Sequence, residues 1–188
     1  MPNPNLCDES ALTFESINLA ADGCACNVQF TRIAFARRSW LDLENMTVDE
    51  MGCPTNIIMA EQGFFEITGI DADFVTYTAS LDEATCKYNN TFTIDMQAVT
   101  KQLRLLGCNM QSFCDWVIWG STNTCQNYLL GVEDLGGGNL GSSFKSKFSG
   151  HEISIGGTNQ VSNAWSFTWS SYCEGGETLV DYNNLPLI

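Results

Sequence analysis

Histidine is the side chain most often used for general acid or base catalysis, and this chain contains one, His151. It lies between Gly150 and Glu152, at the expected start of a strand. No cysteine stands in a recognisable reactive-cysteine motif that would use this histidine as a base. We therefore interpret His151 as an ordinary surface histidine.

Cysteine is the other residue type whose abundance could indicate chemistry. The nine cysteines are Cys7, Cys24, Cys26, Cys53, Cys86, Cys108, Cys114, Cys125 and Cys173. An odd number leaves at least one of them free or bonded to another chain. The closest spacing has one intervening residue, and paired Cys-x-x-Cys or Cys/His ligand clusters are absent, so we expect no metal. We interpret most of them as small buried apolar residues in a reducing compartment.

Paired carboxylates and a glycine-rich segment complete the search for a site. Asp71 and Asp73 are two residues apart but lack the later glycine and glutamate of a calcium-binding EF-hand loop. An acidic chain supplies such pairs by chance, so we interpret them as solvated surface. The glycines of residues 136–141 are not followed by the lysine and threonine of a phosphate-binding loop. The sequence thus predicts no catalytic residue, no metal and no cofactor, and a protein that is not an enzyme.

Length and charge restrict the class of protein further. The 188 residues fit one domain with one hydrophobic core. Asp and Glu number 22 against 8 Lys and Arg, and the net charge of −14 repels nucleic-acid phosphates. No segment approaches the roughly 20 apolar residues of a membrane helix. Residues 1–10 lack the basic start and apolar run of a secretory signal. We expect no membrane span and a cytoplasmic origin.

Alternation of apolar and polar residues predicts strands through most of the chain. The clearest alternation covers residues 74–79, 90–96 and 165–169. Apolar runs predict further strands at residues 28–36, 56–60, 64–70, 115–119, 127–131 and 153–155, with a turn at 120–126. Trp165, Phe167 and Trp169 would lie on one face of their strand and anchor the core.

One amphipathic helix is predicted at residues 97–109, where Leu103 and Leu106 belong to an apolar stripe that also packs on the core. Strands, one helix and then more strands indicate a mainly β fold. We expect an antiparallel β-sandwich or barrel with one flanking α-helix and extended arms or loops. Residues 1–27 are predicted to form an N-terminal arm, 28–173 a single β-rich domain, and 174–188 a C-terminal tail.

Six short motifs follow one another along residues 26–173. They are, in order, CNVQFTRIAFARRS, FFEITGID, NNTFTIDMQAVTKQLRLLG, DWVIWGSTNTCQNYLLGVED, FSGHEISIGGT and AWSFTWSSYC. Their succession resembles the tail-tube (major tail) proteins of tailed phages that infect Bacteroidetes. The nine cysteines and the acidic residues within 40–55 are not part of that resemblance.

The resemblance implies a structural virion protein, assembled in the host cytoplasm. Copies of the chain would stack as hexameric rings around a channel through which DNA passes, in contact with other virion proteins and without membrane or catalysis. The acidic excess would keep DNA from adhering to the channel. The arm at 1–27 or the loop at 132–143 would contact adjacent subunits. The interface candidates are Gly136, Gly137, Gly138, Asn139, Gly141 and Phe144.

Two other interpretations remain open. One is a different virion part, such as a capsid-decorating, connector or tail-terminator protein, because these share small β-rich domains with extended arms. The other is a carbohydrate- or receptor-binding β-sandwich. That second interpretation requires exposed tryptophans in a cleft, and its candidates are Trp116, Trp119, Trp165 and Trp169.

Overall fold

The computed structural model of the chain describes residues 29–47, 55–112, 115–123, 127–134, 140–141, 147–156, 161–171, 176–179 and 185–187. Within these ranges the fold is mainly β, with two antiparallel sheets and one α-helix, as predicted. The strands are β1 (Phe30–Arg37), β2 (Phe65–Ile67), β3 (Val75–Asp82), β4 (Lys87–Asp95), β5 (Trp116–Thr122), β6 (Asn127–Leu130), β7 (Glu133–Asp134), β8 (Leu140–Gly141), β9 (Lys147–Ile155), β10 (Val161–Ser171) and β11 (Gly176–Leu179). The helix, α1, is Lys101–Met110.

The larger sheet has five strands in the order β11-β6-β5-β1-β2, and the smaller has four in the order β3-β4-β10-β9. Strands β7 and β8 form a separate pair. Apolar side chains from the inner faces of the two large sheets meet in one buried cluster, so the sheets form a sandwich. Among the described residues, no helix has the length and apolar character needed to cross a membrane.

Phe35 on β1 is the residue through which the two sheets make most of their aromatic contacts. Its ring stacks on Phe167 of β10, with ring centroids 5.4 Å apart, and meets Phe92 and Trp165 edge-on. Phe65 stacks on the same ring from β2, at 5.4 Å. Trp165, Phe167 and Trp169 are all buried, as befits core anchors, and Leu103 and Leu106 pack against the same cluster.

A second apolar cluster covers the opposite face of the five-stranded sheet. Ala34, Val117, Trp119 and Leu129 point into it from the strands. Leu41, Met46 and Phe64 cover these side chains from the segments between β1 and β2. The strands β1 and β5 are therefore buried on both faces, which explains their apolar runs without alternation.

The predicted C-terminal tail at 174–188 is wrong for the residues that the structure describes there. Strand β11 forms the edge of the five-stranded sheet by pairing with β6. Residues 185–187 then cross Phe64, whose backbone N–H donates to the carbonyl of Pro186 at 2.7 Å. The crossing is so close that a Cβ on Gly63 would lie 2.5 Å from the Pro186 oxygen, and glycine alone fits there.

Three other local predictions differ from the structure. Residues 56–60 form one isolated bridge, between Met59 and Leu41, because their apolar side chains cover a sheet instead of extending one. Strand β5 continues to Thr122, through part of the predicted turn at 120–126, because β1 pairs with it over that length. The helix begins at Lys101 instead of residue 97: Gln97 has a φ of 49°, and the Thr100 side chain accepts from the Leu103 N–H as the N-cap.

We predict that Phe35→Ala lowers the free energy of unfolding by about 3 to 5 kcal/mol, because it removes the aromatic ring that contacts both sheets and leaves a cavity between them. The measurement is urea unfolding of the monomer at low protein concentration, followed by tryptophan fluorescence. Leu81→Ala is the control, because Leu81 is exposed and its truncation should cost no more than about 0.5 kcal/mol. Equal losses in the two variants would contradict the assignment of Phe35.

Candidate assembly surface

The single histidine joins the helix to the four-stranded sheet and is half-buried, so its interpretation as a surface residue is wrong. Its Nε2 lies 3.0 Å from Oδ1 of Asn163. The Nδ2 of Asn163 donates to the carbonyl of Ala98 at 3.0 Å, which fixes the amide so that Oδ1 faces the ring. Nε2 of His151 must therefore carry a hydrogen and act as the donor. This nitrogen therefore forms a structural hydrogen bond to Asn163.

Helix α1 contacts the histidine ring at Gly107. A Cβ on Gly107 would lie 2.7 Å from Cε1 and 2.9 Å from Nδ1 of His151. The ring also meets Phe148 and Trp165 edge-on, with centroids 6.2 Å away in each case. The missing side chain of Gly107 thus allows the helix to lie directly against the end of the core.

Asp95, the last residue of β4, accepts hydrogen bonds at the start of the same junction. Its carboxylate accepts from the Asn163 N–H at 2.9 Å, the Ser162 hydroxyl at 2.8 Å and the Gln97 N–H at 3.1 Å. Burial raises the pKa of Asp95, but these three hydrogen bonds lower it more, and the pKa lies below that of an ordinary aspartate. The carboxylate holds the turn between β4 and α1.

The other residues considered for chemistry lie apart from one another. Asp71 caps the short 3₁₀ turn Ala72–Phe74, and Asp73 accepts from the Gln29 side chain at 2.7 Å. No group of three potential metal ligands occurs in the part of the chain that the structure describes. Cys86 and Cys108 are exposed free thiols, which differs from the expected buried role; the other cysteines lie outside the described residues.

The four-stranded sheet has two outer edges, formed by β3 and β9, that pair with no other strand of the described ranges. Residues 75–81 of β3 are VTYTASL, without a charge or a proline. Natural proteins protect strand edges with charges, prolines, bulges or a covering segment, because unpaired backbone groups bind other strands. The β3 edge carries none of the first three along these residues.

The two open edges run in opposite directions. Strand β3 is antiparallel to β4, β4 to β10, and β10 to β9. A β9 edge placed beside the β3 edge of a second copy would therefore continue the antiparallel alternation. Such head-to-tail contact uses two different edges, so it can repeat from copy to copy and close into a ring.

The outer face of this sheet is a surface of hydroxyl groups. Its central rows run from β3 across β4 to β10 and consist of Thr76, Thr93 and Ser166; Thr78, Thr91 and Thr168; and Ser80, Asn89 and Ser170. None of these nine side chains carries a charge, although the chain as a whole has a net charge of −14. These three rows have neither charge nor large apolar groups, and on β9 the middle row ends in the exposed Lys147, the cross-strand partner of Thr168.

Large apolar side chains are exposed mainly beside the two open edges. Phe74 and Leu81, at the two ends of β3, are 37% and 55% exposed. Ile155 at the end of β9 is 69% exposed, and Leu105 on α1 is 56% exposed. Of the exposed large apolar residues that the structure describes, Leu187 alone lies elsewhere. Partly apolar edges favour pairing with another chain.

The interface candidates from the sequence lie in a segment of which little is described. Gly136, Gly137, Gly138, Asn139 and Phe144 are outside the described residues, as is the arm at 1–27. Gly141 belongs to the short strand β8, which pairs with β7. The two open edges could not be predicted from the sequence, because a strand pattern does not reveal which strands lie at the edge of a sheet.

No protein-family model, curated protein sequence or solved structure matches the chain. The candidate surface is therefore defined by the geometry of the two edges, the hydroxyl face and the exposed apolar residues beside them.

We predict that Gly107→Ala destabilises the protein, because the new methyl group collides with the His151 ring. In a His151→Ala background the sign should reverse, and Gly107→Ala should stabilise by up to about 1 kcal/mol, because alanine is the better helix former. Urea unfolding of the four chains of this double-mutant cycle measures the effect. A destabilisation by Gly107→Ala that persists in the His151→Ala background would contradict the contact.

We predict that Asp95→Asn lowers stability at neutral pH and that its difference from the wild type shrinks under acid. Because the folded-state pKa of Asp95 is depressed, its contribution is present above the unfolded-state pKa of about 4 and is lost as pH falls through the folded-state pKa. Denaturant unfolding at low protein concentration across pH 2 to 7 checks this. The control is Glu83→Gln, on an exposed turn. A difference from the wild type that stays constant over this pH range would contradict the role of Asp95.

Proposed function

We propose that this chain is a non-enzymatic structural protein that assembles with copies of itself through the edges of its four-stranded sheet. The observation that carries the proposal is the pair of unpaired, oppositely directed edges at β3 and β9. Backbone N–H and C=O groups along each edge would be satisfied by the edge of the next copy. The exposed apolar residues Leu81 and Ile155 would then be covered.

The more specific proposal is a tail-tube protein of a tailed phage, forming stacked rings around a channel that conducts DNA. Two observations support it. The motif succession resembles that family, and, among the described residues, one sheet of the sandwich is covered on both faces whereas the outer face of the other sheet is polar and uncovered. In a closed ring of six copies this polar face would line the channel. The side chains of the three central rows offer DNA no ion pairs, and Lys147 of β9 adds one cation at the end of the middle row; the net charge of −14 repels phosphates at longer range.

Partners and location follow from this proposal. The chain would bind itself and other virion proteins, would contact DNA only in transit, and would belong to the virion after assembly in the host cytoplasm. A capsid-decorating, connector or tail-terminator protein would use the same edge chemistry with a different ring geometry, so the shape of the assembly decides among them.

A carbohydrate- or receptor-binding module is the second candidate, and the structure offers it less support. That function needs aromatic side chains exposed in a cleft. Trp116, Trp119, Trp165 and Trp169 are buried and help to form the two apolar clusters. Their rings therefore stabilise the fold and are not exposed to bind a ligand.

We predict that the wild-type chain forms rings or hollow tubes with increasing protein concentration and that Thr76→Lys with Thr78→Lys prevents it. The two lysines place charge on the uncharged β3 edge, which disfavours pairing with another strand. Mass photometry and negative-stain electron microscopy measure the assemblies.

The matched control is Thr93→Lys with Thr91→Lys. These residues are the cross-strand partners of Thr76 and Thr78 on the same face, but β4 is an interior strand. The control adds the same charge without changing an edge, so it should assemble like the wild type. A wild type that stays monomeric at every concentration, or an edge variant that assembles as well as the control, would overturn the proposal.

A further inference from the structure

An open groove lies along helix α1 and the two residues before it, and its lining includes basic and apolar side chains. The groove is lined by Val99, Thr100, Lys101, Arg104, Leu105 and Cys108. Lys101, Arg104 and Leu105 are all exposed. The groove therefore presents two cations and one large apolar side chain to whatever lies beside the helix.

The two cations of the groove are unlike the arginines on β1. Arg32 and Arg37 form ion pairs with Glu66 and Asp115. Among the described residues, no ion pair occupies Lys101 or Arg104, and helix α1 contains no acidic residue. Two of the eight basic residues of a strongly acidic chain are thus available on one helix. Their most abundant complement is a carboxylate of the same chain in another copy.

The register of the four-stranded sheet shows which carboxylates would come close. His151 on β9, against which the helix lies, belongs to one row of cross-strand partners with Trp165, Ile94 and Val75. Val75 is the first residue of β3. The helix and the beginning of β3 therefore lie at the same level, on opposite edges of the sheet.

An acidic turn stands immediately before β3. Asp71 and Asp73 flank Ala72 in the turn Ala72–Phe74, and both carboxylates are exposed. Phe74 adds an apolar ring that is 37% exposed. The turn is acidic whereas the groove is basic, and each of the two surfaces exposes one large apolar side chain, Phe74 or Leu105.

We infer that the groove beside α1 of one copy binds the acidic turn 71–74 of the next copy. This inference rests on the proposed head-to-tail pairing of β9 with β3, which brings the two surfaces to the same level. Lys101 and Arg104 form ion pairs with Asp71 and Asp73, and Leu105 packs against Phe74. The strand edges supply the backbone hydrogen bonds, whereas the charges fix the direction and register of the pairing.

Two charge-reversed variants test the inference. The helix variant is Lys101→Glu with Arg104→Glu, and the turn variant is Asp71→Asn with Asp73→Lys. Asparagine at 71 keeps an oxygen to cap the turn. Each variant alone sets like charges against each other at every junction, so we expect its critical concentration for assembly to rise at least about tenfold. An equal mixture restores assembly, because alternating copies pair opposite charges at every junction.

The turn variant excludes a general effect of net charge. It makes the chain less acidic, so simple repulsion between copies predicts easier assembly, whereas a specific contact predicts weaker assembly. Far-UV circular dichroism and tryptophan fluorescence of each variant confirm that it is folded, and mass photometry at low salt measures assembly.

Assembly of either variant at the wild-type concentration, or a mixture that fails to assemble, overturns the inference and leaves the edge pairing intact. A wild-type chain that never assembles overturns both the inference and the proposed function. The two failures are therefore distinguishable within one set of measurements.

Discussion

The contact of the Phe35 ring with Phe92, Trp165 and Phe167 is the constraint on which the rest of the structure depends. It fixes the inner face of both sheets at once, since each strand has a side-chain period of two residues and a shift by one residue would turn its core residues outward. Because β10 presents Trp165, Phe167 and Trp169 inward, the intervening serine and threonine side chains must form the outer hydroxyl face. One aromatic cluster thereby determines both the stability of the sandwich and the character of its free surface.

The two sheets differ in how many of their faces are covered. The five-stranded sheet is buried between the aromatic core and a second cluster built from the segment before β2 and from Leu185. Within the part of the chain that the structure describes, the four-stranded sheet has a single covered face and two unpaired edges. This asymmetry separates the tasks of the molecule, because the covered sheet supplies rigidity while the other presents polar surface and strand edges. A chain designed only to remain monomeric would gain nothing from a β3 edge that, over residues 75–81, has no charge, proline or bulge.

The sequence was informative where one face of an element meets water. Alternation at residues 90–96 and 165–169 located β4 and β10 because their outer side chains are polar, whereas the apolar run at 56–60 gave no means to tell a covering segment from a strand. Gly107 lies inside the helix, where glycine is a poor helix former, and only the structure shows that its missing side chain admits the His151 ring. From the sequence alone, Asp71 and Asp73 could not be distinguished from any other pair of solvated carboxylates. Their relation to Lys101 and Arg104 depends on strand order, which pairs residues distant in sequence and has no local signature.

The crossing of residues 185–187 over Gly63 also has a consequence in time. A ribosome releases a chain from its N-terminal side, so β3 and β4 emerge long before β10 arrives to pair with β4, and the segment that crosses Gly63 emerges after all the strands it helps to cover. The sandwich cannot close progressively, because each sheet waits for residues from the last part of the sequence. Until β10 emerges, the edge of β4 that it will cover stays unpaired, so the partly made chain passes through a stage in which an interior strand is exposed to pairing with other strands.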